Sequence, residues 1–307
     1  MYLGINVRFS IIIPTYNEES DIAQTILSLF RMRYDSFEII VVDDSTDRTP
    51  EILSSLAHDL LRVIRPQNKD GRSGARNIGI REARGDVVVI LNADVHLPED
   101  FLSRLERHYN EGADCVIVKS EVENLESPYS RYIEALTKLD YLGSNPQPMD
   151  WSEGFSCRRL VALEAGLFPT GFPLPLKSGE DKIFVENMMG NGVKQVHDLS
   201  IVCRHIAPAT MLDFFKNRIE RGEGSGVVKR FIRGWGSIRL ALWILMRATH
   251  SLFSALILFP MCFRVFRLCL LSKRGRADFL FFVFAWILER TAFCYGEMRI
   301  FLRSRSH

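Results

Sequence analysis

What this chain lacks narrows its chemistry first. Its six cysteines (Cys115, Cys157, Cys203, Cys262, Cys269, Cys294) form no CxxC pair and no zinc-type spacing. A disulfide framework and a zinc module are therefore excluded as organising devices, and reduced thiols are expected. No G-x-G-x-x-G follows the first apolar run, which argues against a nicotinamide dehydrogenase. No internal repeat or low-complexity tract is visible. The amino terminus has no basic-then-apolar leader, because Arg8 opens straight into a predicted strand. Net charge is only +2 over 307 residues. That balance says nothing in favour of nucleic acid, and none is expected as a partner.

What is present is a core-forming composition with an uneven charge distribution. Hydrophobic residues make up 47% of the chain, enough for one large domain with an appendage or two modest domains. Residues 229–307 carry fourteen Lys/Arg against three acids, a balance of +11, which leaves −9 for residues 1–228. The division predicted from this is a catalytic domain over 1–228 and a basic, membrane-associating helical tail over 229–307. A basic, apolar tail on an acidic body points to a partner of opposite sign, and anionic lipid is the obvious one.

Short apolar, β-branched runs at 8–13, 37–42, 62–65, 87–91 and 115–119 read as strands. Helical patterns separate them: Ile22, Ile26 and Leu29 recur at helical spacing, Pro50 suits a first turn, 73–83 is helical, and Pro98 opens another helix. This alternation predicts an α/β fold: a mainly parallel mixed sheet with helices on both faces. Beyond residue 125 it loosens. A helix is expected over 127–142, a Gly- and Pro-rich stretch over 143–180 with Trp151, Phe155, Phe168 and Phe172, then a helix over 181–189 and a strand over 194–203. The loop-rich stretch reads either as an acceptor-binding wall or as irregular packing.

The tail has two apolar runs, Leu240–Phe263 and Phe279–Tyr295. The first contains Arg247 and His250, and the second is interrupted by Glu289 and Arg290. Three readings stay open: helices lying in the membrane interface, a spanning hairpin, or soluble packing helices. Five basic residues in 264–278 do not favour placing that loop outside.

Several short motifs fall where predicted strands end. Open α/β sheets bind ligands just beyond the carboxyl ends of their strands. Pro14-Thr15-Tyr16-Asn17-Glu18 follows the first strand; Pro14 fixes φ, Thr15 offers a hydroxyl, and Tyr16 can wall a flat base. Asp43 and Asp44 end the second, and adjacent carboxylates need a positive or hydrogen-bonding answer. Gly74-Ala75-Arg76-Asn77-Ile78-Gly79 is small enough for close backbone approach, with Arg76 available to a base carbonyl or a phosphate. Asn92-Ala93-Asp94 is placed to bind a divalent cation on a diphosphate. Gly179-Glu180-Asp181 lies well downstream as a separate carboxylate. The bland alternatives are helix caps, a surface arginine and an ordinary buried histidine at 205.

Taken in order, these stretches resemble the family-2 glycosyltransferases, inverting enzymes of the A-type fold that use nucleotide sugars. With His205 and Arg218–Gly222 the resemblance covers roughly residues 8–228. It implies that Pro14, Thr15, Tyr16, Glu18, Asp44 and Arg76 hold the nucleoside, with Asp43 beside them. It implies that Asn92 touches the ribose or diphosphate, that Asp94 binds Mg²⁺ or Mn²⁺, and that His205 is a second metal or diphosphate contact. Asp181 becomes the catalytic base, and Arg218 and Arg221 a mobile element over the diphosphate. Asn92 stands where the family's Asp-x-Asp has its first aspartate, which removes a negative charge near the cation. The expected activity is sugar transfer from a nucleotide-diphosphate donor to a lipid-linked or glycan acceptor at the cytoplasmic face of the cell membrane. A polyprenyl-phosphate sugar synthase and a catalytically silent nucleotide-sugar-binding subunit are the alternatives.

Overall fold

The computed structural model describes residues 8–67, 70–142, 153–189, 192–257 and 259–304. Trp151 and the span 143–152 lie outside them. The chain divides into two compact units. One holds residues 1–121, 148–170 and 180–205; the other holds 122–147, 171–179 and 206–307.

The first unit is built on eight strands: β1 (Phe9–Thr15), β2 (Phe37–Asp43), β3 (Leu61–Ile64), β4 (Val87–Ile90), β5 (Val95–His96), β6 (Cys115–Val122), β7 (Phe155–Arg158) and β8 (Gln195–His205). Their order in the sheet is β3-β2-β1-β4-β7-β6-β8-β5. The four strands from β3 to β4 run parallel. β7 runs antiparallel to both β4 and β6, and β5 antiparallel to β8, so the sheet is mixed. Its helices are α1 (Ile22–Leu29), α2 (Thr49–Ser55), α3 (Gly71–Glu82) and α4 (Phe101–Asn110). After α5 (Pro128–Tyr141), a helix of the second unit, come α6 (Arg159–Glu164) and α7 (Glu180–Met189).

The period of two along β1 decides which layer each residue enters. Phe9, Ile11 and Ile13 join Ile22, Ile26 and Leu29 of α1 and Phe101, Leu102 and Leu105 of α4. Ile12 joins Ile80 of α3, Ala162 of α6 and Phe184, Val185 and Met188 of α7. Each fully buried aliphatic side chain contributes on the order of 1.5–3 kcal/mol of transfer free energy. Gly79 lets α3 close on the sheet, since a Cβ there meets Ile12 Cγ2 at 2.3 Å. The smallness of Gly74 and Gly79 therefore serves packing inside the unit, Gly74 against Asp70 and Gly79 against β1.

The stretch expected as loop holds a strand. β7 is only four residues long, Phe155-Ser156-Cys157-Arg158, and buried on both faces, so it shows no alternation to read. It has strand neighbours on both sides, which sequence spacing cannot reveal. The helix expected to open at Pro98 begins at Phe101.

The second unit is helical: α5, α8 (Met211–Val227), α9 (Ser237–Ile257), α10 (Phe259–Leu271) and α11 (Phe279–Arg303). Its limits do not fall at residue 228. Tyr129 and Tyr132 of α5 share a core with Phe214 of α8 and Phe282 and Trp286 of α11. Packing groups these segments, whereas the sequence division followed charge. Gly222 and Gly296 let α8 and α11 touch backbone to backbone: a Cβ on Gly222 meets the Phe293 carbonyl oxygen at 2.2 Å, and one on Gly296 meets that of Ile219 at 2.2 Å. Arg131 and Asp278 form a buried ion pair at 2.8 Å.

Among the described residues no single helix is long and apolar enough to cross a membrane. The segments Ser237–Ser254 and Phe259–Leu271 together meet that test by length and composition, with an 81° bend between them.

Candidate active site at the sheet rim

The turn after β1 and the turn after β2 are tied to each other. Thr15 donates from Oγ1 to Asp43 Oδ1 at 2.9 Å, the Asn17 backbone donates to Ser45 Oγ at 2.8 Å, and the Thr46 backbone donates to Asn17 Oδ1 at 2.9 Å. Asn17 sits at φ 59°, a left-handed conformation that asparagine tolerates better than most residues. Asp43 is fully buried and pairs with Arg65, so it holds these turns together. Its neighbour Asp44 is half-buried, Pro14 is half-buried in β1, and Tyr16 beside them is 62% exposed. Within this rim, Tyr16 is the residue presenting a free aromatic face.

A second cluster gathers carboxylates around two arginines of α3. Arg76 is fully buried and donates to Asp181 Oδ1 at 2.6 Å, Glu180 Oε1 at 3.1 Å and Asn92 Oδ1 at 3.0 Å. Its guanidinium lies 5.0 Å from the centroid of the Phe168 ring. This corrects one expectation: Arg76 is not a surface arginine, and its partners include two carboxylates and an amide of the protein. Two acids at the start of α7 need a cation within reach, and Arg76 answers them from the facing helix. Arg72, one turn earlier on α3, lies 3.7 Å from Glu180 Oε1.

Burial dominates the acids here. It pushes the Asp181 carboxyl well up from the ordinary aspartate range, with Arg76 pulling it back and Glu180 adding to the rise. Asp94 is raised by burial too, partly offset by His205 and reinforced by Glu153. Burial and the Asp94 anion push Glu18 up to about 7. Arg72 acts on all three acids, so Glu18, Asp94 and Asp181 share one electrostatic field. Cooperation of this kind among desolvated acids at a sheet rim marks a functional site.

His205, at the end of β8, has Nδ1 3.0 Å from Ser120 Oγ. Among the described residues no three His, Cys, Asp or Glu side chains gather closely enough to hold a metal ion by themselves. Asp94 and His205 fit a cation whose remaining ligands come from a diphosphate, which is how Mg²⁺ is usually held. Arg218 and Arg221 fall in the second unit. Arg218 is buried within α8, its guanidinium 4.9 Å from the Phe214 ring centroid and 3.4 Å from Glu289. Arg221 is exposed on the same helix.

Sequence reasoning missed Arg72, Glu153 and Ser120. The four-residue step from Arg72 to Arg76 was a readable signal, because it puts both on one helix face. Glu153 and Ser120 carried none.

A sheet of this order with acids gathered at its rim is the architecture of the A-type glycosyltransferase fold. Residues 10–159 match the family model Glycosyl transferase family 2. It is 33% identical over 141 residues to an uncharacterized glycosyltransferase of Haemophilus influenzae, covering 43% of this chain and 55% of that protein. It is 29% identical over 185 residues to the poly(ribitol-phosphate) beta-N-acetylglucosaminyltransferase TarS of Staphylococcus aureus, covering 58% of this chain and 32% of TarS. The chain thus matches about half or less of the length of these relatives. In structure it is similar to residues 1–349 of S. aureus TarS, with TM-score 0.55 and 17% identity over 98% of this chain and 92% of that one. The mannosyltransferase PcManGT of Pyrobaculum calidifontis, solved with GDP-Man and Mn²⁺, aligns with TM-score 0.56 and 23% identity over 75% of this chain and 65% of that one. Similarity at these identities establishes the shared fold.

Proposed function

We propose that the protein is an inverting glycosyltransferase that moves a sugar from a nucleotide-diphosphate donor to a lipid-linked or glycan acceptor at the cytoplasmic face of the cell membrane. The observation that carries the reading is the shared field of Glu18, Asp94 and Asp181 around Arg72, at the carboxyl ends of β1 and β4 and the start of α7. The family match and the names of the relatives support sugar transfer.

Sugar transfer of this kind forms a bond from the acceptor oxygen to the anomeric carbon and breaks the bond from that carbon to the diphosphate. One in-line displacement inverts the centre. The acceptor hydroxyl's proton passes to Asp181, whose burial strengthens its hold on that proton, so it acts as base near neutral pH. Arg76 fixes the orientation of the carboxylate at 2.6 Å. Tyr16 offers a wall for the base, and the Asp43 network holds the turn that carries Tyr16 in place. Asp94 and His205 would hold the divalent cation, which would supply neutralisation of charge on the departing diphosphate.

If the acceptor is a polyprenyl phosphate, its oxygen is already ionised and Asp181 mainly orients it. The basic, aromatic-rich second unit favours this form of the reading. The product separates the two: an acid-labile phosphodiester for a phosphate acceptor, a stable glycoside otherwise.

The test is titration calorimetry of the purified protein against a panel of nucleotide sugars with and without Mn²⁺. Asp94→Ala is expected to weaken donor and metal binding together; unchanged donor affinity overturns the assignment. Donor binding with neither hydrolysis nor transfer in detergent favours a silent nucleotide-sugar-binding subunit.

A further inference from the structure

Between α5, α9, α10 and α11 lies a cavity of about 290 Å³ with no role in the chemistry above. Arg264, Arg267, Arg290 and His250 line it together with Trp286 and Met261. Three arginines meeting in one cavity repel one another unless an anion answers them. Among the described residues no carboxylate forms an ion pair with any of the three, although arginines elsewhere in the unit are paired, as Arg131 is with Asp278 and Arg299 with Glu223.

A second observation points to a ligand. Two donors of lining residues, Arg290 Nε and the indole N–H of Trp286, are buried and meet no acceptor in the protein. A buried donor left unmet costs about 1–3 kcal/mol, so such groups are normally partnered. Arg290 also lies 5.3 Å from the Trp286 ring centroid. Arginine forks and an indole N–H suit a phosphate group better than a carboxylate-poor apolar ligand.

The surroundings choose the source of that phosphate. Phe263, itself a lining residue, is 57% exposed, and Leu256 and Phe259 beside the cavity are 72% and 75% exposed. A soluble anion gains nothing from such a rim, whereas acyl chains cover it.

We propose that this cavity binds the phosphate headgroup of an anionic lipid. Arg264, Arg267 and Arg290 neutralise the phosphate, the Trp286 indole donates to one of its oxygens, and the exposed apolar residues of α9 and α10 receive the chains. The site does not depend on sugar transfer, and it gives the proposed membrane location a specific anchor.

The experiment is flotation of the full chain with phosphatidylcholine vesicles, with and without phosphatidylglycerol, and thermal shift with inorganic phosphate. The wild type is expected to bind only the phosphatidylglycerol vesicles. Removing one basic residue from a merely charged surface weakens such binding about fivefold. Arg264→Gln and Arg290→Gln are expected to lose more than that, and Lys273→Gln, an exposed charge outside the cavity, less. Trp286→Phe keeps an aromatic ring and the net charge but removes the N–H, and is expected to weaken binding as well. Equal losses for Lys273→Gln and the cavity variants overturn the proposal, as does full binding by Trp286→Phe. Stabilisation by inorganic phosphate equal to that by vesicles overturns the lipid source. Nucleotide-sugar binding is measured on each variant: a folded variant that binds donor but not lipid separates this site from the sugar-transfer reading. If the arginine variants do not fold, Trp286→Phe carries the test.

Discussion

The two units bury charge in opposite ways. In the first, acids are pressed into a poorly solvated rim, so burial makes Glu18, Asp94 and Asp181 hold protons more tightly than free carboxylates, against the pull of the α3 arginines. In the second, arginines lie over aromatic faces, Arg218 on Phe214, Arg247 on Phe293 and Arg239 on Trp235. Its buried acids sit beside cations, Asp278 with Arg131, Glu223 with Lys177 and Arg299, and Glu297 with Lys229 and Arg247: burial works against the Asp278 anion, but Arg131 and Ser272 keep its carboxyl low. Acids left partly unanswered are poised to take a proton or a cation. Acids fully answered hold structure.

The largest expected effect breaks the first half of that contrast. Asp181→Asn should lower turnover by about 10²–10⁴-fold with a hydroxyl acceptor, the usual contribution of a positioned base, and leave donor affinity within about twofold. Stopped assays with radiolabelled donor check the first and calorimetry the second. Retained turnover points to another base or to an ionised acceptor.

Removing the answering cation tests both units at once. Arg76→Met leaves Glu180 and Asp181 without their closest cation, and Arg131→Met does the same to Asp278. Each should cost about 3–5 kcal/mol in chemical denaturation. Arg76→Met should additionally move the acid limb of the pH–rate profile upward, because Asp181 loses the charge that favours its ionised form. Arg131→Met should leave that limb where it is.

Packing offers a smaller contrast. Gly296→Ala drives a methyl against the Ile219 carbonyl, which is backbone and cannot turn away. It should cost about 1–3 kcal/mol. Gly79→Ala meets only the Ile12 side chain and should cost less.

The smallest effect is in pH. Because Glu18 is raised to about 7 in the folded protein, the folded state binds its proton more tightly than the unfolded chain does. The stability this contributes is complete below the ordinary glutamate value and is lost as pH rises towards 7. Without divalent cation, Glu18→Gln should match the wild type near pH 4 and exceed it by about 1–2 kcal/mol at pH 8, after allowance for partial exposure. The depressed Asp278 has the opposite sign: its contribution is present above the ordinary aspartate value and is lost as pH falls.

Much of the first unit was legible because its strands are buried on both faces. Runs such as Ile11-Ile12-Ile13 and Ile39-Ile40-Val41-Val42 can be little else when turn residues border them. The position of Asp94 just past a strand was legible because it follows the apolar run Val87-Val88-Val89-Ile90-Leu91. β7 was not legible: four residues carry no period, and its partners lie far away in sequence. The burial of Arg76 was not legible either, since a Gly-rich helix with an arginine reads as exposed until the acids of α7 are brought against it.

The order of residues alone determined the alternation of strands and helices, the split between an acidic body and a basic tail, and the placing of acids at strand ends. These are local properties, set by side-chain period, turn chemistry and charge. Only the folded chain decided that Arg72 and Arg76 stand among Glu18, Asp94 and Asp181, and that three arginines of the tail meet over one cavity. Those juxtapositions join residues more than a hundred positions apart, and what fixes them is the burial of apolar faces on either side of the sheet and between the helices, which no single stretch of chain encodes.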